Sequence, residues 1–528
     1  MEISAALYGP LPAGKVVLYC ASAVAIAVCC YCVQLVVQTI QVYARLRSVP
    51  GPKQRFPFSF FVDMWLGSVA KDSPLEVPAR IFEYVKSMCQ DIVDQDVTMS
   101  FHGPMPILIA VTPSVAERVL SGTENVNKSF LYTMMKSWIG NGLLTSEKNI
   151  WRKRRKALTP AFHFRILDEY VPIMNRRAAM LADKLAVLSR DYFDLLPVMR
   201  LTTFAILFET AMGVKLDEED VEKTEFLKVN DEMAAAIMTR LITAHHWPDF
   251  IYKRTKEGRK FYEKVELVKK YTQDILRSRK KAYKIEGAQA ERKQQSFMDI
   301  LLRMHMEEGV FTEEEIREEV NTFMIGGFDT TAMAASFALH LLGNHPEAQA
   351  KVHEELDAVF GSDEERPVTT EDIKQLKYLD CVIKEALRLY PPIPLIAREL
   401  GEDISIEKYT IPKGSVSLVL IYFMHRHPRF FPQPNAFVPE RFLEADKERH
   451  PFLYIPFASG SRNCIGQKFA QLEDKILLAQ ILRRFKVQSK IPNEDLQMSL
   501  ELVLRPTQGL HVKFTPRVRT DPGTEAKT

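Results

Sequence analysis

From Thr312 to about Leu342 the chain can run as one uninterrupted helix, and few folds have room for such a helix. Thr312-Glu313-Glu314-Glu315 is a capping box: Thr312 can cap the first turn, Glu315 can reach back, and the acids suit the helix dipole. Gly343 and Pro346 mark the expected stop. About thirty residues at about 1.5 Å each make about 45 Å, enough to cross a whole domain. Mid-helix lies Gly326-Gly327-Phe328-Asp329-Thr330-Thr331. Each glycine costs about 1 kcal/mol relative to alanine there, so the pair calls for a local reason. One reason is close packing of another helix. The other uses Thr330, four residues after Gly326 on the same face. Its hydroxyl can bond the Gly326 carbonyl and open a groove with no side chain in it.

A second stretch organises the chain's chemistry: Pro456-Phe457-Ala458-Ser459-Gly460-Ser461-Arg462-Asn463-Cys464-Ile465-Gly466. It reads as a loop, and the helical pattern after it places Phe469, Leu472 and Ile476 on one face. Cys464 thus sits just before a helix N-terminus, where unpaired amides and the dipole favour an anion and predispose the thiol to be a thiolate. Arg462 adds a fixed positive charge. The alternative is a buried cysteine packed as a small hydrophobe, the commoner fate of a lone one.

The joint pattern Phe-x-x-Gly-x-Arg-x-Cys-x-Gly is complete from Phe457 to Gly466, and it resembles the haem-binding loop of the cytochrome P-450 superfamily, the haem-thiolate monooxygenases. The resemblance implies that Cys464 is the axial ligand of haem iron, with Phe457 and Gly466 beside the cofactor. It also implies that the central helix carries an oxygen groove in which Asp329 and Thr330 relay protons to dioxygen. Ile325 and Phe328 would line the substrate pocket. Many members of the fatty-acid-hydroxylase branch, family four, carry at the position of Gly326 a Glu that esterifies the haem. Glycine cannot do that, so haem b is expected to be bound non-covalently.

Further motifs follow in the family's order. Trp151 and Arg155 lie four apart on one helix face, and an indole N–H and an Arg fork both suit a carboxylate. By resemblance they hold a haem propionate, together with Arg398 and Arg462. The neighbouring Arg152, Lys153 and Arg154 read as a solvated face, part of a docking surface for an acidic electron donor. Glu385 and Arg388 stand at i, i+3, a pair that is ordinarily exposed and weak. With Phe437-Val438-Pro439-Glu440-Arg441-Phe442 downstream, they resemble the family's Glu-x-x-Arg and Pro-Glu-Arg-Phe elements. In that family Glu385, Arg388 and Arg441 would form a buried structural network. Between them Tyr390 to Arg398 is an extended, proline-stiffened strand whose Leu395 and Ile396 would face substrate. Leu158 to Phe164 and Trp247 to Tyr252 also resemble the microsomal family-four branch. His163 reads as structural rather than as a ligand.

The N-terminus sets the location. Val16 to Val37 contains no charge and is long enough for one membrane-spanning helix of about 20 residues. A signal peptide cleaved near Ala21-Ser22-Ala23 is the alternative, against which the apolar run simply continues. Lys15 precedes the segment and Arg45, Arg47, Lys53 and Arg55 follow it, which puts the remainder in the cytoplasm. Four of the seven cysteines lie in this segment, so no disulfide framework is suggested; they read as lipid-facing, with palmitoylation as the alternative. The segment is not an Arg-rich amphipathic presequence, and the endoplasmic reticulum membrane is the natural location. On a cytoplasmic face the Asn127-Lys128-Ser129 sequon would go unused. Thr112 should cap a helix with Pro113 in its first turn. Arg277 to Lys281 reads as a helix terminus and loop, and Arg505 to Gly509 as a turn.

The expectation is a mainly α protein with small β-sheets near its N-terminal side: the cytochrome P-450 fold with a long central helix, plus an N-terminal transmembrane helix. Residues 1–49 would be anchor and flank (helix about 16–37), 50–58 a Pro-rich linker, 59–514 the catalytic domain and 515–528 a disordered tail. A net charge of +3, without basic runs interleaved with aromatics, argues against nucleic acid. No Gly-x-Gly-x-x-Gly fingerprint follows a strand. The implied donor is therefore a separate NADPH–cytochrome P-450 reductase, with cytochrome b5 as a further candidate. The implied reaction inserts one oxygen atom into a lipophilic substrate, a fatty acid or related lipid first. Two alternatives are a peroxide-rearranging isomerase or dehydratase, which often lacks the acid–alcohol pair, and a non-catalytic haem sensor.

Overall fold

The computed structural model of the chain describes residues 13–51, 76–102, 105–216, 225–286, 296–443 and 449–517. Most of the expected linker and the tail from 518 onward lie outside the described residues. The first helix, α1 (Ala13–Leu46), carries the apolar segment exposed and continues past Val37. Pro50 does not end it. The helix stops at Leu46, where the Val49 amide donates back to the Leu46 carbonyl at 2.9 Å. Leu46 and Val49 are buried, and Tyr43 meets Phe101 edge-on with ring centroids 5.1 Å apart. The Pro50 carbonyl accepts from the Met99 amide at 2.8 Å. A Cβ on Gly51 would lie 2.2 Å from the Met99 carbonyl oxygen, so glycine permits this close approach. The start of the expected Pro-rich linker is docked on a strand.

Past it, α2 (Val77–Asp91), α3 (Pro113–Leu120), α4 (Lys148–Leu158), α5 (Phe164–Leu188), α6 (Leu195–Leu207), α7 (Phe226–Ile242), α8 (Lys256–Glu286), α9 (Phe297–Met306), α10 (Glu313–Asn344), α11 (Pro346–Phe360), α12 (Lys377–Leu389) and α13 (Gln467–Arg484) make a mainly helical body. Among the described residues the strands form four small sheets. One has the order β1 (Thr98–His102), β2 (Met105–Ala110), β7 (Val416–Val419), β4 (Ile396–Glu399), with β2 and β7 parallel. The expected N-terminal sheet thus takes two strands from the C-terminal half. A second sheet joins β3 (Phe193–Asp194), β11 (His511–Pro516) and β8 (Phe485–Ser489). Two hairpins complete the set: β5 (Ile404–Ile406) with β6 (Tyr409–Ile411), and β9 (Met498–Leu500) with β10 (Leu504–Pro506). Arg505 and Pro506 belong to β10, so the expected turn shrinks to its last residues.

The long helix α10 has its capping box, the Glu315 amide donating to Thr312 Oγ1 at 3.2 Å and the Thr312 amide to Glu315 Oε2 at 2.9 Å. Its middle is buried against α6 and its far end against β8. The two mid-helix glycines divide the two explanations between them. A Cβ on Gly327 would meet the Leu207 side chain at 2.9 Å, which is the helix-packing reason. A Cβ on Gly326 would meet nothing within 4 Å, which is the open groove. Gly343 is no stop signal. The helix continues to Asn344, and a Cβ at 343 would lie 2.3 Å from Ser489 Oγ, so this glycine admits β8.

Three local expectations are corrected by tertiary partners. Arg277 to Lys281 lies inside α8, where Arg279 forks onto Asp299 at 2.7 and 2.8 Å and Lys280 pairs with Glu313. Thr112 precedes α3 without a side-chain cap, because its hydroxyl donates to the Asp96 carbonyl at 3.2 Å instead. Arg154 is no solvated residue: it is 5% exposed and bridges α4 to Glu318 at 2.8 Å and Glu319 at 2.9 Å, with Glu315 at 3.4 Å. Glu319 also accepts from the Leu143 amide at 3.0 Å. Burial pushes the Glu319 carboxyl up to about 7 against the pull of Arg154 and that amide.

A folded value above the ordinary carboxylate range gives stability that is full at low pH and declines as pH rises through about 7. Glu319→Gln should remove on the order of 2 kcal/mol of that slope. Thermal denaturation at about pH 5 and about pH 8 reads it, and an equal pH response in variant and wild type would contradict it.

Candidate active site

The loop from Pro456 to Gly466 turns on Ala458 (φ 57°) and Gly460 (φ 75°). A Cβ at Gly460 would lie 2.0 Å from the Leu120 carbonyl oxygen at the end of α3, so this position needs glycine. The Cys464 amide donates to the Phe457 carbonyl at 2.9 Å, and the Asn463 amide to the Gly460 carbonyl at 3.1 Å. The loop closes on itself through its backbone, with the Cys464 side chain exposed beside Gly466. Solvent reaches the thiol, yet the protein packed around it raises its pKa, while the Gly466 amide and Arg155 pull the other way. A coordinated metal ion would hold this thiol deprotonated outright.

Helix α4 reaches this loop from the other side. Arg155 grips the loop rather than standing free: one Nη donates to the Asn463 carbonyl at 2.8 Å and the other to Asn463 Oδ1 at 2.7 Å. Trp151 is buried with the Arg462 guanidinium 4.9 Å from its ring centroid. Arg462 donates through one Nη to the Ser146 carbonyl, while its Nε and other Nη are buried without a partner among the described residues. Arg398, buried on β4, donates to the Ala397 carbonyl at 3.1 Å. A third cation joins them. Burial depresses Lys128 far below the ordinary lysine range, with Arg398 and Arg462 adding to the effect. Burial, with Arg398 beside it, takes Arg462 down to about 9.

Among the described residues no carboxylate forms a salt bridge with Lys128, Arg398 or Arg462, and the two arginines donate only to carbonyls. The orphaned donors of Arg462, with Arg398 and Lys128 close by, fit a bound group that brings its own carboxylates, as haem propionates do. Lys128 is hidden in the sequon. Asn127 is a structural residue, its Oδ1 accepting from the Lys148 amide at 2.9 Å and its carbonyl from the Glu399 amide at 3.1 Å.

On α10, Gly326 is exposed and Ile325 and Thr330 are half-buried, in a helix otherwise buried through its centre. Thr330 Oγ1 donates to the Gly326 carbonyl at 2.9 Å. Asp329 faces another way, as the next residue on a helix must. It is 3% exposed, and its two oxygens accept from Arg200 Nε at 2.7 Å and Arg505 Nη2 at 2.6 Å. The acid and the alcohol are thus adjacent in sequence but separately held. Phe328 is not a pocket residue. It is fully buried, edge-on to Phe204 with ring centroids 5.6 Å apart. Leu395 is half-buried; Ile396 is buried opposite Val419 and joins the core on the sheet side.

The charge network is present in full. Glu385 and Arg388 are both 0% exposed and forked together at 2.7 and 2.8 Å, and Arg441 Nε lies 3.3 Å from Glu385. Arg388 also donates to the carbonyls of His425, Pro434 and Ala436 at 2.9, 2.7 and 3.0 Å. The two resemblance stretches without chemistry prove to be packing devices. Phe162 stacks on Phe323, one turn before Gly326, with ring centroids 5.3 Å apart. Trp247 donates to the Leu241 carbonyl at 3.1 Å and packs on Phe130. His163 is exposed at the start of α5 against Phe164.

Comparison with known proteins agrees with this geometry. The family described as Cytochrome P450 matches residues 77–514. Cytochrome P450 4V2 of Mus musculus is 38% identical over 492 residues, covering 91% of this chain and 92% of the mouse protein. Cytochrome P450 4c3 of Drosophila melanogaster is 40% identical over 437 residues, or 79% of this chain and 81% of its own length. Cytochrome P450 4V2 of Homo sapiens is 39% identical over 427 residues, again 79% of this chain and 81% of its own length.

Proposed function

The chain belongs to the cytochrome P450 family, in its family-four branch, and is a haem-thiolate monooxygenase; from that premise we propose that it oxidises a fatty acid or related lipid at the endoplasmic reticulum membrane. The observation that carries the site is the acid-free cluster of Lys128, Arg398 and Arg462 beside the closed loop of Cys464. Haem bound there would supply the iron that activates dioxygen, and Cys464 would ligate it through sulfur. Lys128, Arg398, Arg462 and Trp151 would hold the propionates, while Arg155 holds Asn463 and hence the loop. The Glu385–Arg388–Arg441 network fixes the segments that support it.

The residues of α10 manage protons. Thr330 keeps its hydroxyl on the open side by bonding the Gly326 carbonyl, a position from which it would hand a proton into the groove. Asp329 is the source behind it and must loosen from an arginine to serve. Gly326 leaves space and offers no carboxylate, which supports non-covalent haem. Helix α1 serves as a single-pass anchor with the catalytic domain on the cytoplasmic side. Arg152, Lys153 and Lys156 are exposed on α4 and suit an acidic surface, so electrons come from NADPH through a membrane-bound reductase, with cytochrome b5 as a second donor. Ile325 and Leu395 supply apolar lining for the substrate.

The test is turnover of dodecanoic acid by the full chain with reductase and NADPH under isotopically labelled dioxygen. One labelled oxygen per product is expected, and Thr330→Ala should lower product per NADPH by about tenfold or more while haem binding is unchanged. Absence of reductase-dependent NADPH consumption would remove the proposal.

A further inference from the structure

Asp329 does not stand alone with its two arginines. Arg200, on α6, sends both Nη atoms to Asp231 on α7, at 2.9 and 2.5 Å, while its Nε holds Asp329 at 2.7 Å. Arg505, on β10, places one Nη2 2.6 Å from Asp329 and 3.3 Å from Asp231, and its Nε 3.3 Å from Glu501. Two guanidinium groups thus serve three carboxylates. Glu501 is raised by burial and partly offset by Arg505. The Asp329 side chain is 4% exposed, whereas that of Asp231 is 42% exposed on a helix that borders solvent.

We propose that Asp231 is a positioning residue for proton delivery: by sharing Arg200 and Arg505 with Asp329 it sets how firmly Asp329 is held away from Thr330. The two aspartates compete for the same donors. While α7 sits as described, Asp231 occupies two of Arg200's donors and part of Arg505, and Asp329 feels a divided positive charge. If α7 moves outward or Asp231 loses its charge, both guanidinium groups turn their full attraction on Asp329. A carboxylate clamped by two arginines in a buried site is slow to swing toward Thr330.

This inference rests on the monooxygenase reading. Its test uses the full-length chain with reductase, NADPH and dodecanoic acid, each variant normalised to its haem-thiolate absorbance. Asp231→Asn is expected to lower product per NADPH about fivefold and to raise the solvent deuterium isotope effect on kcat about twofold. Asp231→Glu, which keeps the charge, should restore most of both. A merely structural strut would lower Tm and the yield of folded protein but leave coupling and isotope effect at wild-type values. That outcome, or a change in the opposite direction, overturns the inference. A wild-type protein that consumes no NADPH with reductase instead removes the reading beneath it.

Discussion

Cys464→Ala is expected to abolish the strongly red-shifted Soret band of the reduced, carbon-monoxide-bound protein, and turnover should fall by at least about three orders of magnitude. The closures of the loop run through the amides of Cys464 and Asn463, which the substitution leaves in place. Gly460 and its approach to the Leu120 carbonyl are likewise untouched. The variant should therefore fold, with a wild-type far-ultraviolet spectrum, and lose only the sulfur ligand. Among the described residues no other group stands ready: Cys89 and Cys381 are buried elsewhere, and no three metal-ligating side chains gather. A variant that kept the red-shifted band would show that another residue ligates the iron.

The second large effect concerns stability. Arg388→Ala leaves Glu385 buried at 0% exposure with Arg441 at 3.3 Å as its one cation and the Val438 amide at 2.9 Å, and strips donors from three main-chain carbonyls. Breaking one side of such a pair costs about 3–5 kcal/mol. Domains have only about 5–15 kcal/mol to lose, so the expected result is little or no folded haem protein. Glu385→Ala should do the same, because Arg388 then lacks both fork partners. A double replacement by apolar residues of similar size should recover part of the loss, since no charge is left unpaired. Tm and the yield of carbon-monoxide-binding protein measure this. Wild-type values for either single variant would show that the buried network contributes no measurable stability.

Much of this site is legible in the amino-acid sequence, for reasons that differ by residue. The capping box at Thr312, the Thr330-to-Gly326 hydroxyl bond and the Glu385–Arg388 fork are local or helical in spacing, so i+3 and i+4 arithmetic finds them. The partners of Asp329 lie 129 and 176 positions away along the chain, and no periodicity announces a contact at that range. Arg154 is obscured by the charges around it. A signal is present all the same, since Trp151, Arg154 and Leu158 form the buried stripe of α4 and the two apolar members frame the arginine. Lys128 has no such frame, because its meaning depends on Arg398 and Arg462 arriving from distant segments. Phe328 misleads for the opposite reason: neighbouring helix residues point in different directions, and the groove faces only one of them.

The junction between α1 and the first sheet carries a last consequence. With α1 in the bilayer, the helix would rise roughly two turns beyond the hydrocarbon before Leu46 and Val49 meet the sheet-side core. Its end is pinned by Tyr43 on Phe101 and by the bond from Met99 to Pro50. Such an anchor is a stilt and not a leash. In a bilayer it would fix the height and tilt of the body over the membrane, and a partner diffusing in the same plane would meet the same face at every encounter.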